Sequence, residues 1–184
     1  SEYPSTPLLD QAVVPVCEER GIPFAPMIGV KRGVNPALRD AGDGVGKCDV
    51  GSVERMCAQH PNCDFLVTLL SRENQHELCV AARKFPNLKP FGCWWFLNNP
   101  SIIEEITRER IELLGLSFVA QHSDCRVLDQ LIYKWEHSRR VLAKVLTEKY
   151  TDLWLAGWKL SEQQIAADVR GLLGGNFLKW IGRA

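Results

Sequence analysis

Phe65–Leu70, FLVTLL, is an uncharged run of six residues. A strand of that composition fits where both faces are covered, as in a parallel sheet with helices packed on each side. Phe24–Val30, Pro90–Phe96 and Ser117–Ser123 read as three further strands, and helical spacing marks 8–20, 50–59, 75–85, 102–114, 126–149 and 161–173. Helix and strand alternate four times, at strand separations of roughly 25 to 40 residues, before two helices close the chain. That order is the order of βα units, so the expected class is α/β with parallel (β/α) units. Local signals agree with it. Asp49 stands as the N-cap of 50–59, His60-Pro61 ends that helix, Gly115 is a C-cap for 102–114, and Ser161 opens the last helix, which Gly174-Gly175 breaks. Pro15 is expected to bend or delay the first helix.

Four βα units make either a small open doubly wound domain or half of an eight-stranded barrel, and an isolated half leaves two apolar edge strands unpaired. With 184 residues the chain is long enough for one good-sized core, and 1–184 reads as a single α/β domain. Within it, 31–49 is dense in Gly, Asp, Asn and Pro and is expected to be a long rim loop, longer than an ordinary connection. Residues 161–184 form a C-terminal helical extension. Lys+Arg and Asp+Glu are equal at 22 each, which points away from nucleic acid and from an acidic membrane surface. The N-terminal SEYPSTPLLD lacks the features of a signal peptide, and no apolar run reaches transmembrane length. Seven cysteines, none in a CxxC pair, read as small buried hydrophobes of a reducing compartment, so a cytoplasmic setting is expected.

Polar groups collect just beyond the carboxyl end of each strand. They are Lys31-Arg32 with Asn35, Arg72 with Asn74, Trp94-Trp95 with Asn98 and Asn99, and His122 with Asp124 and Arg126. In a parallel α/β protein, ligands bind outside the carboxyl ends of the strands. Arg32, Arg72 and Arg126 offer planar forks for a carboxylate, and aromatic rings beside amides suit a polyhydroxylated ligand. On a strand, Trp94 and Trp95 point to opposite faces, so at most one faces the core. The plainer alternative makes Asp124 the N-cap of the following helix and Arg126 a solvated first-turn residue. No GxGxxG follows the first strand and no GxxxxGK[ST] occurs, so nucleotide phosphate binding is not signalled. Only His122 and Asp124 share a strand end as metal donors, where a catalytic zinc ordinarily takes three. Cys125 as a nucleophile has no base but His122.

Assembled, these stretches resemble the uronate (glucuronate) isomerase family of the amidohydrolase superfamily. The resemblance rests on MIGVKRGVNP, LVTLLSRENQHEL, KPFGCWWFLNNPSIIEEITRERIELLG, QHSDCRVLDQLIYKWEHSRRVLAKVL and GLLGGNFLKW, and runs from Ala12 to the C-terminus. It implies a TIM-type (β/α)8 barrel of more than twice this length, of which this chain supplies the C-terminal half, strands five to eight. It implies interconversion of aldose and ketose hexuronates, commonly with one divalent metal such as zinc. By the same resemblance Asp124 lies at the metal and moves the proton between C2 and C1, and Arg126 holds the substrate. The tandem Trp strand lines the pocket; Arg32, Arg72 and His122 join Trp94 and Trp95 as expected substrate contacts. Two departures stand out. The family's His-x-His pair is not in this chain, and Met27 occupies a position where many members carry His.

The expected partner is a small hexuronate, with no nucleic acid and no membrane. An oligomer or a missing N-terminal half is expected to complete the barrel. The rival from another class is a non-catalytic or split half-barrel that acts by self-association or by docking to a complete homologue. A metal hydrolase of the same superfamily is a third reading, which the FGCWWF and NFLKW stretches oppose.

Overall fold

In the computed structural model, which describes residues 8–122 and 124–183, the uncharged run at 65–70 lies in the middle of a parallel sheet. Expectations that touch 1–7, Ser123 or Ala184 lie outside the described residues. The chain divides into two compact units, Ser1–Pro90 and Phe91–Ala184.

In the first unit a π-helical turn, Leu9–Val13, leads into α1 (Val14–Arg20). Pro15 sits in the first turn of α1, where a missing N–H costs nothing. Gly21 ends α1 at φ 60°, its N–H donating to the carbonyls of Cys17 and Glu18. The expected strand Phe24–Val30 is realised only as a bridge at Phe24 and the short β1 (Met27–Ile28). Pro26 has no N–H to give the ladder, and Gly29, at φ 109°, turns the chain away. The stretch 31–49 is not a bare loop, which corrects the expectation for it. β2 (Val30–Lys31) pairs antiparallel with β3 (Gly44–Val45), and a 3-10 stretch, Pro36–Gly42, lies between them. Asn35 accepts from the Ala37 N–H and Asp43 from the Gly33 N–H, so side chains close the turn.

Asp49 caps α2 (Val50–Gln59), accepting from the Gly51 N–H at 3.1 Å. β4 (Phe65–Leu69) is buried at every position, pairs with β1 in register Met27↔Thr68, and pairs on its other side with β5 (Leu88–Pro90) in register Phe65↔Leu88. Between β4 and β5 runs α3 (Gln75–Ala82), shorter than the 75–85 expected. Two buried amides tie helix to sheet. Gln75 donates to the carbonyls of Leu69 and Ser71, and Asn87 reaches those of Cys57, His60 and Cys63. Phe65, Val67, Leu69, Leu78 and Leu88 form the core with Val14, Val50 and Val53. Each such apolar side chain contributes about 1.5–3 kcal/mol by leaving water.

The second unit is helical. α4 (Pro100–Leu114) starts at Asn99, which accepts from the Ile102 N–H, and stops at Gly115, φ 61°. α5 (Leu128–Leu155) runs six residues past its expected end, with Thr147 and Thr151 hydroxyls donating to carbonyls four residues back. α6 (Glu162–Arg170) opens with a reciprocal capping box between Ser161 and Gln164. A π turn, Gly171–Gly175, leads from it into α7 (Asn176–Trp180). Phe118, Leu142, Leu146 and Leu172 make one buried cluster, and Cys93, Leu97, Ile103 and Ile106 another.

Two expected strands shrink here. Among the described residues of 117–123, only Val119 pairs, in a parallel bridge to Phe91. Of Pro90–Phe96, pairing stops at Phe91, because Gly92 turns the chain at φ 65° and Trp95 begins a 3-10 turn, Trp95–Leu97, at φ 45°. Trp94 and Trp95 therefore do not alternate across a sheet. Among the described residues no helix is long and apolar enough to cross a membrane.

All seven cysteines are free, and Cys125 is the one that is exposed. Burial pushes the Cys57 thiol up to about 12 and those of Cys48 and Cys63 up to about 11. Thiolates are the reacting form. A thiol reagent at pH 8 should therefore label the native protein in one fast phase that Cys125→Ser erases, the remaining thiols waiting for denaturant. Fast labelling in Cys125→Ser would contradict the burial.

Candidate active site

The second unit brings Trp94 to Asp124, 30 residues on in sequence, and Gly92 to His122. Gly92 makes this possible. Its N–H donates to the Val119 carbonyl at 2.8 Å, and its carbonyl accepts from Arg110 Nη1 at 2.9 Å. Its α-carbon lies so close to His122 that a Cβ there would come within 1.9 Å of the imidazole Cδ2. His122 packs on Phe91, ring centres 4.6 Å apart. Gln121 accepts from the Cys93 N–H at 3.3 Å, which holds the two segments in step.

Asp124 sits at φ 38°, in the left-handed region that Asp tolerates better than most residues. Its Oδ2 accepts the indole N–H of Trp94 at 2.6 Å, and its backbone carbonyl accepts from Lys134 Nζ at 3.4 Å. Asp124 does not cap α5. The N-cap is Val127, with no side-chain hydrogen bond, so the capping alternative fails. Trp94 is buried while the Asp124 side chain is exposed. Trp95 stacks on Phe96 at 4.7 Å, and its ring centre is 6.1 Å from that of Trp94. A bulky residue with positive φ costs about 1–3 kcal/mol and persists only where its surroundings over-determine it.

Burial pushes the His122 imidazole down to about 4, with Arg110 and Lys134 acting in the same sense and Asp124 opposing them. His122 is thus neutral at pH 7, and its buried Nε2 has no hydrogen-bond partner among the described residues. His137 is also lowered by burial and then by Lys134; its Nε2 meets Asn98 Oδ1 at 3.1 Å. The Asn98 amide in turn donates to the Cys93 carbonyl. Arg126 is exposed, its backbone N–H donating to Gln130 Oε1.

Arg32 and Arg72 belong to the first unit. Arg32 is exposed and paired with Asp43, which also takes the Gly33 N–H; Arg72 is exposed at the turn after β4. Arg110, only 1% exposed and 5.9 Å from the centre of the Phe118 ring, was missed; its signal was its place on the buried face of α4 with Ile103, Ile106 and Thr107. Gln121 was visible only as a member of a polar run.

The chemistry on offer is a carboxylate anchored through one oxygen, a neutral imidazole two residues before it and a guanidinium two residues after it. That set suits proton transfer beside an anionic, hydroxylated ligand. Among the described residues no three His, Cys, Asp or Glu side chains are grouped as metal ligands. His122 and Asp124 fall short of the three protein donors that a catalytic zinc ordinarily takes, so these residues alone do not fit one.

Among solved structures, the chain is similar to a uronate isomerase from Bacillus halodurans C-125, at 54% identity and a TM-score of 0.95, over 100% of this chain and 44% of that one. It is also similar in fold to a uronate isomerase from Thermotoga maritima, at 18% identity and a TM-score of 0.73, over 88% of this chain and 36% of that one. The chain therefore spans less than half the length of either relative. No family profile and no curated protein matches it.

Gly92→Ala tests the packing on which the cluster stands. The side chain would be strained by positive φ, costing about 1–2 kcal/mol, and would also displace His122. Urea denaturation should give a loss larger than the backbone cost alone. An unchanged midpoint would contradict the close approach.

Proposed function

The chain belongs to the uronate isomerase family, and on that premise we propose that it carries the proton-transfer half of an aldose–ketose isomerase site for hexuronates. The observation that carries this reading is the exposed Asp124 carboxylate, anchored by the Trp94 indole at 2.6 Å, two residues ahead of an exposed guanidinium. In the finer reading the chain is the C-terminal half of a (β/α)8 barrel, strands five to eight. The parallel order β1–β4–β5 supports it, as does full-length similarity to 44% of a relative's chain.

The reaction relocates hydrogen without oxidant or reductant. Asp124 takes the proton from C2 of the aldose while the C1 carbonyl oxygen gains one, giving an enediol. The O2 hydroxyl then loses its proton as C2 becomes the carbonyl carbon, and Asp124 returns its proton to C1. The net change moves the hydrogens of C2 and O2 to C1 and O1. Arg126 is proposed to hold the substrate carboxylate through a bidentate fork, which a lysine cannot reproduce. Neutral His122 and the Trp95 ring are proposed to face the sugar. A divalent ion such as zinc would take Asp124 as one ligand and need its others from outside these residues, and would supply Lewis acidity there.

Asp124→Asn keeps the shape and removes the basicity. In the catalytically active form of the protein it should lower kcat for glucuronate isomerisation by about 10²–10⁴-fold, with the melting transition near that of the parent. Activity that merely tracks the folded fraction would contradict a role in proton transfer.

A further inference from the structure

We propose that Trp94 is a positioning residue: through its indole N–H it holds the Asp124 carboxylate in the orientation that proton transfer needs, instead of forming a wall for the substrate. The proposal rests on the reading of Asp124 as the base. Four observations converge on it. The Nε1–Oδ2 distance is 2.6 Å, at the short end for such a bond. Trp94 is only 7% exposed, so little of its ring remains for a ligand to touch. Three non-glycine residues among those described have positive φ, and two of them are the acceptor Asp124 and Trp95, the residue after the donor. The segment behind the indole is fixed at several points. Gly92 N–H donates to Val119, Cys93 N–H to Gln121 Oε1, Asn98 Nδ2 to the Cys93 carbonyl, and Leu97 N–H to the Trp94 carbonyl.

The identity of the donor has a chemical consequence. An indole N–H gives a hydrogen bond and accepts none, so it takes no part in the proton relay. By occupying Oδ2 it leaves Oδ1 as the oxygen presented to the substrate and stops rotation of the carboxylate. Orientation of this sort is worth up to about 100-fold, since a misplacement of about 1 Å costs that much.

The test is Trp94→Phe, which keeps an aromatic ring and removes the donor. In the active form of the protein kcat should fall about 10–100-fold with KM for the hexuronate changed less than about 3-fold. In an Asp124→Asn background the same substitution should cause no further loss, because its effect passes through the carboxylate. An independent readout is the ¹H–¹⁵N spectrum of this chain, in which the six tryptophans give indole signals. The Trp94 signal, missing in Trp94→Phe, should move upfield and lose exchange protection in Asp124→Ala. A raised KM with unchanged kcat, or an equal loss in the Asp124→Asn background, would make Trp94 a substrate contact and overturn the proposal. So would a Trp94 indole signal indifferent to Asp124→Ala. Should Trp94→Phe fail to fold, that spectrum decides alone, with the indoles assigned through the backbone. Undiminished activity in Asp124→Asn would remove the base reading and this proposal together. Normal dependence on Asp124 with a kcat independent of Trp94 would remove this proposal alone.

Discussion

One glycine carries the geometry of the second unit. Gly92 uses its N–H on the Val119 carbonyl, its carbonyl on the buried Arg110 guanidinium, and the empty space at its α-carbon on His122. A side chain there would collide with the imidazole, and any residue other than glycine resists φ 65°. Gly92 turns the chain at that tight crossing, and Trp94 beyond it donates its indole N–H to Asp124. The bridge at Phe91 and Val119 is a single pair, so hydrogen bonds from side chains, those of Arg110, Gln121 and Asn98, do the holding that a longer strand ladder would otherwise do.

The first unit solves a different problem. Its central strand is buried on both faces, so the strand ends must find partners without help from water. Gln75 satisfies the carbonyls of Leu69 and Ser71, and Asn87 those left at the end of α2 and in the turn after it. Polar residues in this core are thus placed where regular secondary structure stops. The antiparallel pair β2–β3 gives the stretch after β1 a framework of its own, with Asp43 joined to Arg32 and to the Gly33 N–H.

Elements with local chemical signals were legible in the sequence. FLVTLL, Asp49 ahead of 50–59, Gly115 after 102–114 and Ser161 ahead of the last helix each state a boundary in one or two residues, and the structure has those boundaries. Pro90–Phe96 and Ser117–Ser123 misled, because composition favours a strand there while the actual path is decided by a glycine meeting a histidine thirty residues on. His122 and Asp124 were legible as a pair at one strand end, and their closeness to Trp94 was not, since a hydrogen bond across that separation leaves no periodic trace. Arg110 was hidden for the opposite reason. Its charge reads as solvent-facing, although its position continues the face of Ile103 and Ile106, and nothing in that pattern tells that it meets the Gly92 carbonyl inside.

In the proposed reaction a hexuronate hydrogen travels as a proton on Asp124. The Asp124 side chain is exposed, so a proton resting on it exchanges with water before it is delivered. Glucuronate turned over in D₂O by the active form of the protein, with the product read by ¹H and ¹³C NMR, tests this directly. Deuterium at C1 of the ketose, accumulating as the ketose forms, is the expected result. Interconversion with no deuterium from solvent, or no interconversion at all, would contradict it.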